Sequence, residues 1–230
     1  MTFARRLSGA FGAALVTVSC CVGCSLGGSV GSGSPSADAS SAASASGFRG
    51  DELGRPEVLN PTAGSVQFTV AATSGVRRTS LLDLQAMHRL MVVYFGYTHC
   101  PDECPATMAD LADALTSLPA ATRRQVQVVF VTSDPARDTA SVLRSWLDHF
   151  DAGQLVPFVG LTGAVTQTDA VAATLGVPLK PPVVAADGTV DVEHGVQVLA
   201  FVSGQAKLAW LAGTTTADYA HDIPLLLHPA

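Results

Sequence analysis

Apolar residues along this chain fall in short blocks whose period changes from one block to the next. Leu90 to Tyr97 is an unbroken apolar run, the pattern of a strand buried on both faces, and Val126 to Thr132 repeats it. Between them, Pro105 to Leu118 carries Met108, Leu111, Leu115 and Leu118 at spacings of 3, 4 and 3, which predicts a helix. Thr139 to Phe150 predicts a second helix, with Val142, Leu143, Trp146, Leu147 and Phe150 on one face. Phe158 to Leu161 reads as a short strand, and Thr168 to Leu175 as a helix closed by Gly176. Upstream, Val66 to Val70 and Val76 to Arg78 flank a Thr-Ser-Gly turn and predict a hairpin, followed by a short helical turn from Leu81 to Leu84. Downstream come a hairpin over Val183 to Val192 about Asp187-Gly188, another from Val196 to Val202 and Ala206 to Leu211, and a terminal helix from Ala217 to Leu227. Strand–helix alternation with hairpins at both ends predicts an α/β fold: a mixed sheet flanked by helices on both faces, with an N-terminal hairpin extension. There is no internal repeat.

The N-terminal fifth has a different character. Arg5-Arg6 precedes an uncharged, mostly apolar segment, Leu7 to Val22, and the small-residue exit Gly23-Cys24-Ser25. A basic start, a short apolar stretch and a small-residue exit form an export signal. From Ser25 to Gly47, 19 of 23 residues are Ser, Gly or Ala, so this stretch buries nothing and reads as a flexible tether. The organisation expected is thus an export signal with anchor cysteine over 1–24, a linker over 25–47, and one domain over 48–230. Beyond the first 25 residues, no uncharged apolar run approaches bilayer-spanning length. The chain carries a formal charge of −6, and removing Arg5, Arg6 and Asp38 leaves the domain slightly more acidic. Without a Lys/Arg cluster it has no electrostatic reason to hold nucleic acid or an anionic membrane surface.

The five cysteines, at 20, 21, 24, 100 and 104, divide by position. The first three end the apolar segment, where bacterial lipoprotein signals place the cysteine that becomes lipidated. Cys24 fits that role best, with Gly23 and Val22 before it and Ser25 after it; Cys20 is the competitor, and ordinary cleavage to a soluble secreted domain is the alternative. Either route places the domain outside the cytoplasm, where thiols oxidise readily. Lipidation at Cys24 would hold it at the outer face of the cell membrane. Chemistry concentrates in FGYTHCPDECP, residues 95–105, where a buried strand runs into a turn and a helix follows at once. Pro105 suits the first helical position, which puts Cys104 at the cap and Cys100 in the turn. Both sulfurs would then face the positive end of a helix, an arrangement that favours thiolate. Two such thiolates can close on one soft metal ion, Cu(I) with Zn(II) as competitor, or on each other as a disulfide. An inert structural disulfide is the third option, disfavoured because so short a loop constrains little of the unfolded chain.

These residues resemble the Sco/SenC copper-binding proteins of the thioredoxin-like superfamily. GRPEVLNPT (54–62) is similar to that family's opening segment, FGYTHCPDECP to its central motif, VTSDPARDT (131–139) to its second signature and FVGLTG (158–163) to its third. VEH at 192–194 falls where the family places its metal histidine. The resemblance implies a thioredoxin-like fold and copper, as Cu(I) or Cu(II), bound by Cys100, Cys104 and His194. It also implies a role in assembling the copper centre of a respiratory oxidase. Gly195 stands where a Ser or Thr is common in the family, and Ser-Gly-Gln where its last hairpin usually turns through Asp-Pro or Asp-Gly.

Other polar residues near the motifs have plainer readings. His99 abuts Cys100, but alternation along the strand exit points it away, as an exposed loop residue. His149 is read as solvated on its helix, while His88, His221 and His228 have no motif around them. Asp134 before Pro135 reads as a helix cap, with Asp138 and Thr139 opening the next helix. Asp102 and Glu103 are poor Cu(I) ligands and fit charge tuning or docking. Two functions compete. One is an extracytoplasmic copper metallochaperone, with a copper-centre oxidase subunit as acceptor and a copper donor or thiol reductant as supplier. The other is a thiol–disulfide oxidoreductase using the same cysteines on the oxidase's cysteines. The three-residue separation of the thiols and His194-Gly195 in place of a proline favour copper. A peroxide-reducing enzyme on the same fold finds no support in CPDEC.

Overall fold

All seven residues of Leu90–Gly96 are buried, and this strand, β4, lies inside a six-stranded sheet. The computed structural model describes residues 47–53, 67–72 and 75–228. The export signal with Cys20, Cys21 and Cys24, the linker up to residue 46 and the GRPEVLNPT segment lie outside the described residues. Sheet order is β1-β10-β9-β4-β5-β6, built from β1 (Asp51–Glu52), β4, β5 (Val126–Thr132), β6 (Val159–Leu161), β9 (Val198–Val202) and β10 (Gln205–Trp210). β4 runs parallel to β5, and β5 to β6, whereas β9 is antiparallel to β4 and β10 to β9. Two small hairpins stand apart from this sheet: β2 (Phe68–Ala72) with β3 (Gly75–Thr79), and β7 (Val183–Val184) with β8 (Val190–Asp191).

The alternation of side chains along β4 divides the core in two. Leu90, Val92 and Tyr94 pack with Met108, Leu111 and Leu115 of α2 (Glu103–Ser117), Leu143 and Leu147 of α4 (Ala140–Asp151), and Tyr219 and Ile223 of α6 (Thr216–Leu227). Met91, Val93 and Phe95 pack with Leu81 and Leu84 of α1 (Leu81–Met87), Val171 and Ala172 of α5 (Val165–Thr174), and Phe68 of the first hairpin. Helices therefore cover both faces of a mixed sheet, as the pattern predicted. The remaining helix, α3 (Ala120–Arg123), is a single turn that the periodicity does not signal, and β1 is also too short to be read from the sequence.

Helix starts follow local chemistry. Ser80 and Asp83 form a reciprocal capping box on α1, as do Thr215 and Asp218 on α6, and the Thr139 hydroxyl accepts from Val142 N–H at the start of α4. On α4 the buried face is narrower than the sequence implied: Leu143 and Leu147 are buried, Trp146 and Phe150 only partly, and Val142 is exposed. The turn between β9 and β10 uses two left-handed residues, Ser203 (φ 52°) and Gly204 (φ 77°), whose twist suits a two-residue hairpin loop.

Asp222 fastens the N-terminal approach to this frame. Its fully buried carboxylate accepts from Arg49 N (2.9 Å), Gly50 N (2.8 Å) and Trp210 Nε1 (2.9 Å), and lies 2.8 Å from His221 Nδ1. Removing it strands a buried indole N–H and two backbone amides. Asp222→Ala should therefore cost about 3 kcal/mol of stability, read from urea denaturation of the full chain. An unchanged midpoint would mean that these donors find other acceptors.

Candidate metal centre

Parallel pairing of β4 with β5 brings their C-terminal ends to one edge of the sheet, and antiparallel β9 begins there, Val198 opposite Tyr94. Three loops meet at that edge: the cysteine turn after β4, the SDPARDT loop after β5, and the segment entering β9. Hydrogen bonds lock the first two together. Ser133 N–H donates to Gly96 O (2.7 Å), and the carboxylate of fully buried Asp138 accepts from Thr98 N (2.9 Å), Thr98 Oγ1 (2.6 Å) and Thr132 Oγ1 (2.7 Å).

The helix after the turn starts earlier than expected. Its cap is Asp102, with no side-chain hydrogen bond, so Glu103, Cys104 and Pro105 are its first three residues. Proline is tolerated at the third position because the first N–H groups of a helix have no intrahelical acceptor. Cys104 N–H donates instead to Cys100 Sγ at 3.4 Å, so the turn sulfur serves as the cap.

Burial also overturns the expected thiolate character of Cys104. Its side chain has no exposed surface, and desolvation pushes the thiol up to about 12, against the opposing pull of the Tyr94 hydroxyl and the Tyr97 backbone. Removing a sulfur anion from water costs more here than the helix end returns. Tyr94 donates to Cys104 Sγ at 3.6 Å, and its own ionisation is pushed up, first by burial and then by the neighbouring Cys104.

His194 reaches the cysteines from across the sheet. A bridge to Leu179 holds its backbone, and its Nδ1 lies 3.0 Å from Gly195 O. A carbonyl only accepts, so Nδ1 carries the proton and Nε2 accepts from the Cys104 thiol. Nε2 lies 3.6 Å from Cys104 Sγ, and the edges of Tyr97 and Tyr94 enclose the ring at centroid distances of 5.5 and 6.2 Å. Cys100 Sγ, Cys104 Sγ and a His194 ring nitrogen all lie within 4.8 Å of one another. Ligands bonded to one ion at about 2.0–2.3 Å stand about 3.5–4 Å apart, so only a small contraction separates this arrangement from coordination.

The other candidates are not members of this group. His99 and His149 are exposed, as expected, and Asp102 and Glu103 are exposed at the helix start. Asp134 does not cap a helix; its buried carboxylate pairs with the Arg137 guanidinium, and the chain after it forms only a turn. Arg137 lies 6.0 Å above the Tyr97 ring, which links the SDPARDT loop to the wall around His194.

A model of the SCO1/SenC family matches residues 59–224. The chain belongs to the SCO1/SenC family. The human mitochondrial SCO1 homolog is 29% identical over 150 residues, which cover 63% of this chain and 44% of that protein. The solution structure of apo Sco1 from Thermus thermophilus matches with TM-score 0.62 and 27% identity, over 78% of this chain and 96% of that one. Yeast Sco1 with copper bound matches with TM-score 0.60 at 24% identity, over 72% and 89%, and shares the thioredoxin-like fold. The chain spans about half the length of the curated relatives it matches.

Against the SCO1/SenC pattern, the site has features that motif reading passed over. Tyr94, Tyr97 and Asp138 shape the centre, yet only the third dimension shows that they converge on it. Gly96 is required by a close approach: a Cβ there would lie 2.6 Å from Cys104 Sγ. Gly195 is also confined, chiefly by Val177 Cγ1 and Pro178 Cδ, which a Cβ would meet at 2.8 and 3.0 Å. The two thiols should also react differently. At pH 8 a thiol titrating near 12 is only about one part in ten thousand thiolate. Iodoacetamide should thus label half-buried Cys100 well before Cys104 in the native metal-free chain, with both labelled after denaturation, as read by peptide mass mapping. Comparable native rates at the two residues would contradict the burial of Cys104.

Proposed function

We propose that this chain is an extracytoplasmic copper metallochaperone that takes copper through Cys100, Cys104 and His194 and passes it to the copper centre of a respiratory oxidase. The observation that carries the proposal is the convergence within 4.8 Å of two sulfurs and an imidazole nitrogen, the histidine lying 90 positions beyond Cys104. Two thiolates and one imidazole form a soft donor set suited to Cu(I). Yeast Sco1, which shares the fold, holds copper.

The geometry suggests how cargo moves. Cys100 is half-buried and Cys104 fully buried, so an incoming ligand meets Cys100 first. Each thiol releases its proton as it takes the ion and regains one as it lets go. Transfer is then a sequence of ligand exchanges in which no electrons move. Tyr94 and Tyr97 pack at steep angles against the His194 ring and limit its freedom to swing.

A second reading is favoured by one observation: the two cysteines are free, and Cys100 Sγ lies at the helix start against Cys104 N–H. As a reductant, Cys100 would attack a target disulfide, forming a mixed disulfide and releasing one target thiol. Cys104 would then displace the second, so that two electrons pass and Cys100–Cys104 becomes the disulfide. That cycle does not need His194. His194→Ala should therefore lower copper affinity by at least about tenfold while leaving the Cys100–Cys104 disulfide able to form. It should also impair oxidase assembly in cells, with added copper giving partial rescue. Normal assembly with His194→Ala, alongside failure with Cys100→Ser and Cys104→Ser, would make thiol reduction the function.

The export signal and linker fit a domain tethered by lipid at the outer face of the cell membrane through Cys24. In that case Cys24→Ser releases the protein from membranes with the domain still folded. Intact-mass analysis finding an unmodified N-terminus beyond residue 24 would defeat the anchor.

A further inference from the structure

Beside the cysteine turn, between Thr98-His99 and the start of α4, lies an open pocket of about 430 Å³ lined by His99, His149, Trp146, Ser141 and Ser145. Neither histidine belongs to the Cys–Cys–His group. Their hydrogen bonds set both rings in the same tautomer. Thr98 Oγ1 spends its only proton on Asp138 Oδ1 at 2.6 Å, so toward His99 Nδ1, 3.1 Å away, it can only accept. His99 Nδ1 therefore carries hydrogen. His149 Nδ1 lies 3.0 Å from the Trp146 carbonyl oxygen, which also only accepts. Both rings thus present an Nε2 lone pair, and among the described residues no hydrogen bond reaches either Nε2. Metal-binding histidines are ordinarily prepared in this way, with the second ring nitrogen donating to a carbonyl or to a carboxylate network. Among the described residues no carboxylate lines the pocket, which disfavours calcium and magnesium and leaves ions that accept imidazole.

We propose that His99 and His149 form an auxiliary capture site for Cu(I), which loads the neighbouring Cys100–Cys104–His194 centre. The role as a loading site rests on the copper reading above; the site itself does not. An imidazole pair holds Cu(I) less firmly than two thiolates with a third ligand, so the ion runs inward. His99 directly precedes Cys100, so the same turn carries a member of each site. In it, Cu–N bonds are exchanged for Cu–S bonds, the thiol protons go to solvent, and the oxidation state of copper is unchanged.

The test uses the full chain with Cys100, Cys104, Cys20, Cys21 and Cys24 replaced by Ser and His194 by Ala, so that no thiol competes. Cu(I), supplied anaerobically as its acetonitrile complex, should shift the Nε2 resonances of both His99 and His149 in ¹⁵N spectra of the imidazoles. His99→Ala should abolish the shift at His149, and His149→Ala the shift at His99. Unshifted rings, or a ring that still responds without its partner, overturn the site. In the otherwise native chain, His99→Ala/His149→Ala should slow loading of the Cys–Cys–His centre at limiting Cu(I) by about tenfold; loading at the native rate overturns the capture role. A native chain whose bound Cu(I) disappears entirely with the two histidines would sink the Cys–Cys–His reading while sustaining this site.

Discussion

A carboxylate with no exposed surface, Asp138, holds the turn before Cys100 against the end of β5 through three hydrogen bonds. A buried carboxylate is costly unless its lone pairs are filled, and here they are filled from the cysteine turn and from the end of β5. Filling them fixes where Thr98, and hence Cys100, leaves the sheet. The parallel pairing of β4 with β5 supplies the common edge, and the antiparallel approach of β9 delivers His194 to it. Without the Asp138 clamp, the cysteine turn would be joined to β5 chiefly through Ser133 and Gly96. The same clamp takes up the Thr98 proton and so decides which nitrogen of His99 faces outward.

The centre sets two demands against each other. Packing wants Cys104 apolar and neutral inside the first core layer, where it contributes as a small hydrophobe. Metal binding wants it ionised. Desolvation decides in favour of the thiol as long as no cation is near, and a bound soft cation would neutralise the anion that water cannot reach. The buried sulfur is thereby protected from reagents that need free thiolate, while the half-buried sulfur of Cys100 remains the point of contact with the outside.

The sheet and its helices were legible because their signals are local. The runs at Leu90 and Val126 and the 3–4 spacing of Met108, Leu111 and Leu115 needed no tertiary information. β1 and α3 were missed because two residues, or four, carry no period. The start of α2 was misplaced because proline suits several positions in a first helical turn. At the site, chemistry and family resemblance singled out the cysteines and His194, which the fold brings together. The thiol ionisation was misjudged because a sequence shows a helix end but not the absence of water around it. Asp138 looked like part of a helix start since Asp and Thr in a loop normally are. Its partner Thr98 is 40 positions away, and nothing in one sequence couples the two. Tyr94 and Tyr97 read only as apolar strand residues, because the ring they enclose arrives from near the other end of the chain.

Gly195 limits what can stand beside His194. A side chain at that position has no room while Val177, Pro178 and Gln197 keep their present places. A residue with a side chain therefore cannot be placed beside His194 without moving those neighbours. Any Cβ there displaces Val177 or Pro178, whereas Gln197, which makes its contact with the far end of a flexible side chain, can turn aside. The wall behind His194 is in this sense already full: the surroundings of the ring can be changed from that side only by moving Val177 or the chain at Pro178, not by adding a single side chain at 195.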